Sequence, residues 1–168
     1  SWDVPDHIGS FALRRQGGAV VSLRDGFYTL DLETGACALI AGTNSNEPRI
    51  RLNDGKVDRQ GRFLAGSMDY GESEPLASLW RLDPDHSAHK LEDGIICSNG
   101  PCWSVDGKTF YFADSYTKSI SAYDYDTATG AIANKRTFCD FREAGLRGFP
   151  DGATVDADDH VWSVEVYA

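Results

Sequence analysis

Apolar residues along this chain come in short runs that alternate with polar ones and end in Asp, Gly or Asn. Gly26-Phe27-Tyr28-Thr29-Leu30, Ser78-Leu79-Trp80-Arg81-Leu82 and Ser119-Ile120-Ser121-Ala122-Tyr123 each read as a half-buried strand of period two. A turn of one kind follows the first and third. Leu30-Asp31-Leu32-Glu33-Thr34-Gly35 and Tyr125-Asp126-Thr127-Ala128-Thr129-Gly130 both carry an Asp ahead of Thr-Gly, and Leu82-Asp83-Pro84-Asp85-His86-Ser87 is a degenerate copy. In such a turn the Asp side chain can cap backbone N–H groups while the Gly takes positive φ. Long amphipathic helix patterns are absent. Phe138 to Leu146 comes nearest, and Gly145, Gly148 and Pro150 confine it to a turn or two.

A second set of runs repeats in fixed register. Asn53, Asn99 and Asp151 each open one, and eight positions later Gly61, Gly107 and Asp159 close a tight turn. The spacings are 46 and 52 residues, and a weaker copy starts near Ser10, 43 residues before Asn53. A period of about 40 to 50 residues made of short β runs and turns is the mark of a β-propeller blade. The Asn- and Asp-led runs are then inner strands, and the hairpins belong to outer ones. Trp103 and Trp162 fall at near-equivalent inner-strand positions, which predicts core packing for both.

The repeat length gives the fold class: all-β, part of a β-propeller, with about three and a half blades in 168 residues. Closed propellers have roughly four to eight blades. Residues 1–168 are therefore expected to form a single partial propeller that belongs to a longer protein or is its ordered part. Composition agrees with a soluble globular chain, 41% hydrophobic and 25% charged. No apolar run approaches the roughly 18 residues of a membrane span, and no secretory pattern is visible at the N-terminus. A formal charge of −10 argues against a nucleic-acid partner. Cys37, Cys97, Cys102 and Cys139 form no CxxC pair and lie in or beside apolar runs. They read as buried reduced thiols, which predicts a reducing, cytoplasmic location.

Equivalent positions on inner strands converge on one axis, so Asn53, Asn99 and Asp151 are expected to meet. Two amides and one carboxylate make an oxygen-only site, suited to Ca²⁺, Mg²⁺ or Mn²⁺. Taken singly, each lies in an ordinary turn sequence: Asn-Asp-Gly, Asn-Gly and Asp-Gly. Their common register is what favours a shared site. Arg51 and Asn53, two apart on a strand, point to one face. Glu72 and Glu74 follow Met68-Asp69-Tyr70-Gly71 on a loop and read as solvated carboxylates, and the four histidines form no cluster. A serine-nucleophile elbow and a phosphate-cradling glycine loop are both absent.

Three stretches carry a family resemblance: Arg51-Leu52-Asn53-Asp54-Gly55-Lys56-Val57-Asp58 with Gly61-Arg62-Phe63-Leu64-Ala65-Gly66-Ser67-Met68, then Ser98-Asn99-Gly100-Pro101-Cys102-Trp103-Ser104 with Asp106-Gly107-Lys108-Thr109-Phe110-Tyr111-Phe112-Ala113-Asp114-Ser115, and Pro150-Asp151-Gly152. Together they closely resemble the SMP-30/gluconolactonase/regucalcin-like family over nearly the whole chain. Met68-Asp69-Tyr70-Gly71-Glu72 is nearest to the bacterial sugar-lactone hydrolases. The resemblance implies a six-bladed propeller with one divalent cation on its axis (Ca²⁺, or Mn²⁺, Mg²⁺ or Zn²⁺) that hydrolyses an aldonolactone to the aldonic acid. By matching motif, Asn99 and Asp151 are metal ligands, Asp151 is also the general base, and Arg51 and Asn53 contact the substrate. Glu72 takes the place of an acidic substrate contact, one position out of register. The family's further ligand, a Glu in a Gly-Glu-Gly-Pro-like stretch of the first blade, has no counterpart here. The segments of the first and last blades are expected to be missing. The same donors also suit a calcium-binding regulator without turnover, a phosphotriester hydrolase, or a propeller serving only as an interaction platform.

Overall fold

The computed structural model describes residues 2–43 and 47–167. Strands β1 (Ser10–Leu13), β2 (Ala19–Ser22), β3 (Gly26–Leu30) and β4 (Cys37–Gly42) form one antiparallel meander. A second comprises β5 (Ile50–Val57), β6 (Phe63–Asp69), β7 (Ala77–Leu82) and β8 (Ala88–Ile95). A third comprises β9 (Ser98–Trp103), β10 (Thr109–Asp114), β11 (Ser119–Tyr125) and β12 (Ile132–Asp140), and β13 (Phe149–Val155) pairs with β14 (Val161–Val166). The sole helical element among the described residues is a 3₁₀ turn at Ser115–Thr117. The first strands of successive sheets lie side by side: β1 against β5, β5 against β9, and β9 against β13. This is the inner ring of a propeller, and the chain supplies three four-stranded blades and a two-stranded portion of a fourth.

The predicted strands coincide with β3 and fall within β7 and β11. In both Asp-Thr-Gly turns the capping works as the sequence implies. Asp31 Oδ1 accepts from the N–H groups of Glu33 and Thr34, and Asp126 Oδ1 from those of Ala128 and Thr129, while Gly35 and Gly130 have φ of 79° and 72°. The repeat closures also match, since Gly61, Gly107 and Asp159 all adopt positive φ in turns that join first to second strands.

The core lies between blades. Phe27 on β3 meets Leu52, Phe63 and Leu82, closing the first blade on the second. Leu64, Leu79 and Ile95 meet Phe110, Phe112 and Tyr123, closing the second on the third. Full burial of each large apolar side chain contributes roughly 1.5–3 kcal/mol. Strand β6 is buried along its whole length because both its faces are covered by neighbouring sheets.

Two expectations need correction here, on Trp162 and on the cysteines. Trp162 lies on β14, not on an inner strand, and is 64% exposed with its indole N–H donated to Asp156 at 2.8 Å. Trp103 does pack in the core. Residues Phe138 to Asp140 end β12, held in register against Ser119 and Ile120, and only a turn follows, because strand pairing takes the backbone groups that a helix would need. All four cysteines are free, but Cys37 and Cys139, on the outermost strands, are only half-buried. Among the described residues no helix is long and apolar enough to cross a membrane.

Candidate functional site

Each of the three later inner strands is broken by a β-bulge at the same place. Asn53 and Asp54 together oppose Gly66, Gly100 and Pro101 oppose Phe112, and Asp151 and Gly152 oppose Val164. A bulge bends its strand and re-aims a side chain. Here the bulges fall on or beside the repeated Asn, Asn and Asp, turning them toward the axis. Asn53 therefore sits mid-strand in β5 and does not open it. The result is a cavity of about 450 Å³ at one end of the inner ring. Arg51, Asn53, Glu72, Asn99 and Asp151, from three blades, all line it.

The contacts within the cavity are specific. Asn53 Nδ2 donates to the Ser98 carbonyl at 2.9 Å and reaches Asn99 Oδ1 at 3.4 Å. Ser115 Oγ donates to the Pro150 carbonyl at 2.7 Å. A hydroxyl has one proton, so toward Asn99 that oxygen accepts, taking Asn99 Nδ2 at 2.8 Å. Asn99 Oδ1 is then left 2.9 Å from Asp151 Oδ1 and 3.2 Å from the Ser98 carbonyl. Flipping the amide lets its nitrogen donate to Asp151, but the Ser115 proton must then serve Asn99, and the 2.7 Å contact with Pro150 loses its hydrogen. Two amides and a carboxylate that converge in one cavity are an oxygen donor set that fits a hard metal ion.

The surrounding charge agrees. Three carboxylates (Asp54, Glu72 and Asp151) face one guanidinium, Arg51, which favours a cation in the cavity. Among the described residues no three His, Cys, Asp or Glu side chains are grouped so as to hold a metal ion by themselves. Burial raises the pKa of Asp54, with the nearby Asp151 charge adding to it, while the N–H groups of Gly100 and Gly55 work against the rise. Both Asp54 oxygens are held at 2.8 Å, by Gly55 N–H and Gly100 N–H. Gly100 has φ of 59°, and a Cβ there would stand 2.8 Å from the Asp151 carbonyl oxygen, so only glycine lets β9 approach β13 this closely. Asp54 thus ties the β5 bulge to the β9 bulge and sets Asn99 opposite Asp151.

Residues 1–167 match the family described as the SMP-30/gluconolactonase/LRE-like region. The chain belongs to that family. It is 41% identical over 161 residues to regucalcin of Xenopus laevis, covering 92% of this chain and 53% of that protein. A structure described as a calcium-binding protein, regucalcin, from Agrobacterium tumefaciens superposes with a TM-score of 0.90 at 27% identity, covering 96% of this chain and 54% of that one. A luciferin-regenerating enzyme superposes with a TM-score of 0.90 at 29% identity, covering 98% and 57%. The chain spans about half the length of the relatives it matches.

Asp54, Ser115 and Tyr116 also line the cavity, although the sequence marks none of them as a site residue. Asp54 sits inside the quoted Asn-Asp-Gly and was legible as an oxygen donor. Ser115 and Tyr116 carry no local signal, since their partners lie 35 and 44 residues away.

Glu72 stands on a loop anchored by Asp69, which is fully buried. Its carboxylate accepts from the N–H groups of Gly71, Ser73 and Glu74 at 3.1, 3.3 and 3.1 Å and pairs with Arg49 at 2.8 Å. Burial alone would raise its pKa, but these donors prevail and hold it at about 2. The folded value lies below the unfolded one, so the stabilisation is full above about pH 4 and is lost as pH falls through about 2. A pH series of thermal unfolding is expected to show Asp69→Asn less stable than wild type at neutral pH, with the gap closing below about pH 4. A gap of constant size across that range contradicts this assignment.

Proposed function

We propose that this site hydrolyses a sugar lactone to its aldonic acid, with one divalent cation held by Asn99 and Asp151. The observation that carries the reading is the convergence of Asn53, Asn99 and Asp151 from three blades, with the Asn99 amide 2.9 Å from Asp151 Oδ1, in a cavity with a guanidinium and further hydrogen-bonding groups on its wall. Membership of a family whose description includes gluconolactonase supports the choice of substrate.

A divalent cation, when bound, supplies a positive charge that polarises the lactone carbonyl. The residues of this chain do the rest. Arg51 and Asn53, side by side on β5, bind hydroxyls or the carbonyl edge of the ring and orient it. Asp151 takes a proton from water as the water oxygen bonds to the carbonyl carbon. The ring C–O bond then breaks, and the proton passes from Asp151 to the departing ring oxygen, leaving a carboxylic acid and a hydroxyl. Ser115 holds the Asn99 amide by a hydrogen bond of 2.8 Å, and Asp54 fixes the backbone that carries Asn99.

A second reading rests on the Agrobacterium neighbour, described as a calcium-binding protein. It uses the same donors to hold Ca²⁺ without turnover. A lactone panel run on the intact protein after chelation, with Ca²⁺, Mn²⁺ or Zn²⁺ restored singly, separates the two. Turnover that vanishes with chelator and returns with a divalent ion is expected. Tight Ca²⁺ binding with every lactone left intact would establish the regulator instead.

A further inference from the structure

We propose that Tyr116 is a positioning residue for substrate recognition, strapping three blades together at the cavity rim and setting Glu72 to accept substrate hydroxyls. The proposal rests on the lactonase reading, with Glu72 as the acidic substrate contact that the family resemblance implies, and what it adds is the part played by Tyr116.

Tyr116 lies in the 3₁₀ turn of the third blade, next to Ser115, which orients Asn99. Its hydroxyl donates to Glu72 Oε2 on the β6–β7 loop of the second blade. Its ring packs at 5.2 Å, tilted by 48°, against Phe149 at the start of β13. Lys118 Nζ holds the Phe149 ring at 4.4 Å and donates to the Arg147 carbonyl at 2.6 Å, fixing the approach to β13. Tyr116, Glu72 and Phe149 all line the cavity that holds Asn99 and Asp151. One side chain therefore joins a carboxylate from one blade to an aromatic surface from another.

The geometry gives each group a task. Glu72 has φ of 51°, a left-handed backbone that a non-glycine residue adopts only when its surroundings impose it. Asp69 imposes it from below, through the neighbouring N–H groups and its own carbonyl, which accepts from Glu72 N–H at 2.9 Å. Tyr116 imposes it from the cavity side. An ionised carboxylate accepts about four hydrogen bonds, and Tyr116 uses one. The remainder suit a substrate with donors to offer, namely hydroxyl groups. The Tyr116 and Phe149 rings form an apolar wall suited to the C–H face of a sugar ring. An unsubstituted aliphatic lactone has no donor for Glu72 and gains nothing from its placement.

The test compares Tyr116→Phe, Glu72→Gln and the double variant in the intact protein, with glucono-δ-lactone and δ-valerolactone as substrates. Tyr116→Phe keeps the ring and removes only the hydroxyl. Each single variant is expected to raise KM for the hydroxylated lactone about tenfold with kcat nearly unchanged. The double variant should be no worse than Glu72→Gln alone, because the hydroxyl acts through the carboxylate. The loss on the hydroxylated lactone should exceed any loss on the unsubstituted one. Additive losses, a loss confined to kcat, or equal losses on both substrates would overturn the proposal. Calorimetric binding of a cyclic anhydro-alditol, which has the ring hydroxyls but no carbonyl, separates this claim from the parent one. If that ligand binds and weakens in Tyr116→Phe while no lactone is turned over, the strap stands and the lactonase reading falls. If lactones are turned over and Tyr116→Phe matches wild type, the strap falls alone. If wild type neither binds the ligand nor turns over a lactone, both fall.

Discussion

Replacing Asp151 with Ala is expected to lower lactone turnover by on the order of 10³-fold and to weaken divalent-ion binding in step. Both effects come from one oxygen. Asp151 Oδ1 stands 2.9 Å from the Asn99 amide, so removing the carboxylate deletes a donor to the cation and the acceptor for the water proton together. Asp151→Asn makes the distinction sharper. It preserves shape and lets its new amide hydrogen-bond the Asn99 amide. The Asn variant is therefore expected to fold as stably as wild type while failing to bind metal or turn over substrate. Parallel measurements of turnover, ion affinity and thermal unfolding check this. An Asp151→Asn protein that retains even a tenth of wild-type turnover would remove Asp151 from the chemistry.

The second large effect lies at the opposite ends of the inner strands and concerns stability. Asp58, at the end of β5, is almost wholly buried and accepts from Arg62 Nη1 at 3.0 Å and from Tyr125 Oη at 2.7 Å. Arg62 also donates to the carbonyls of Thr127 and Ala128 in the hairpin turn of the third blade. The pair is thus a latch between the second and third blades. Arg62→Met leaves the Asp58 charge buried with a partner removed, which costs about 3–5 kcal/mol. For a chain of this size that corresponds to a fall in melting temperature of roughly 10 °C or more. Adding Asp58→Leu removes the stranded charge but leaves Tyr125 Oη and the N–H groups of Gln60 and Arg62 without their acceptor, so it should recover only part of the loss. A melting curve for Arg62→Met that overlays wild type would show the latch to be dispensable.

Much of this architecture was legible in local sequence. The period-two runs gave β3, β7 and β11 because strand alternation is a local property, and the Asp-Thr-Gly turns were readable because their hydrogen bonds close within a few residues. The common register of Asn53, Asn99 and Asp151 announced their convergence because a propeller maps equal register onto equal radius. Contacts between blades were not legible. Neither Ser115 with Pro150 nor Tyr116 with Glu72 leaves a trace in local pattern, although they orient the groups the repeat brings together. The bulges were half-visible: Asn-Asp-Gly and Asp-Gly read as turns, and the structure uses the same flexibility to kink a continuing strand. Trp162 misled because aromatic residues usually pack in cores, whereas β14 leaves this one exposed.

The account depends on Asn99 and Asp151 sharing one cation. Anomalous diffraction from crystals of the intact protein soaked in Mn²⁺ tests this most directly. One strong peak is expected within roughly 2.0–2.6 Å of both Asn99 Oδ1 and Asp151 Oδ1, with the Asn99 amide nitrogen still turned to Ser115. Finding no peak there, with the amide flipped so that its nitrogen donates to Asp151, would contradict it.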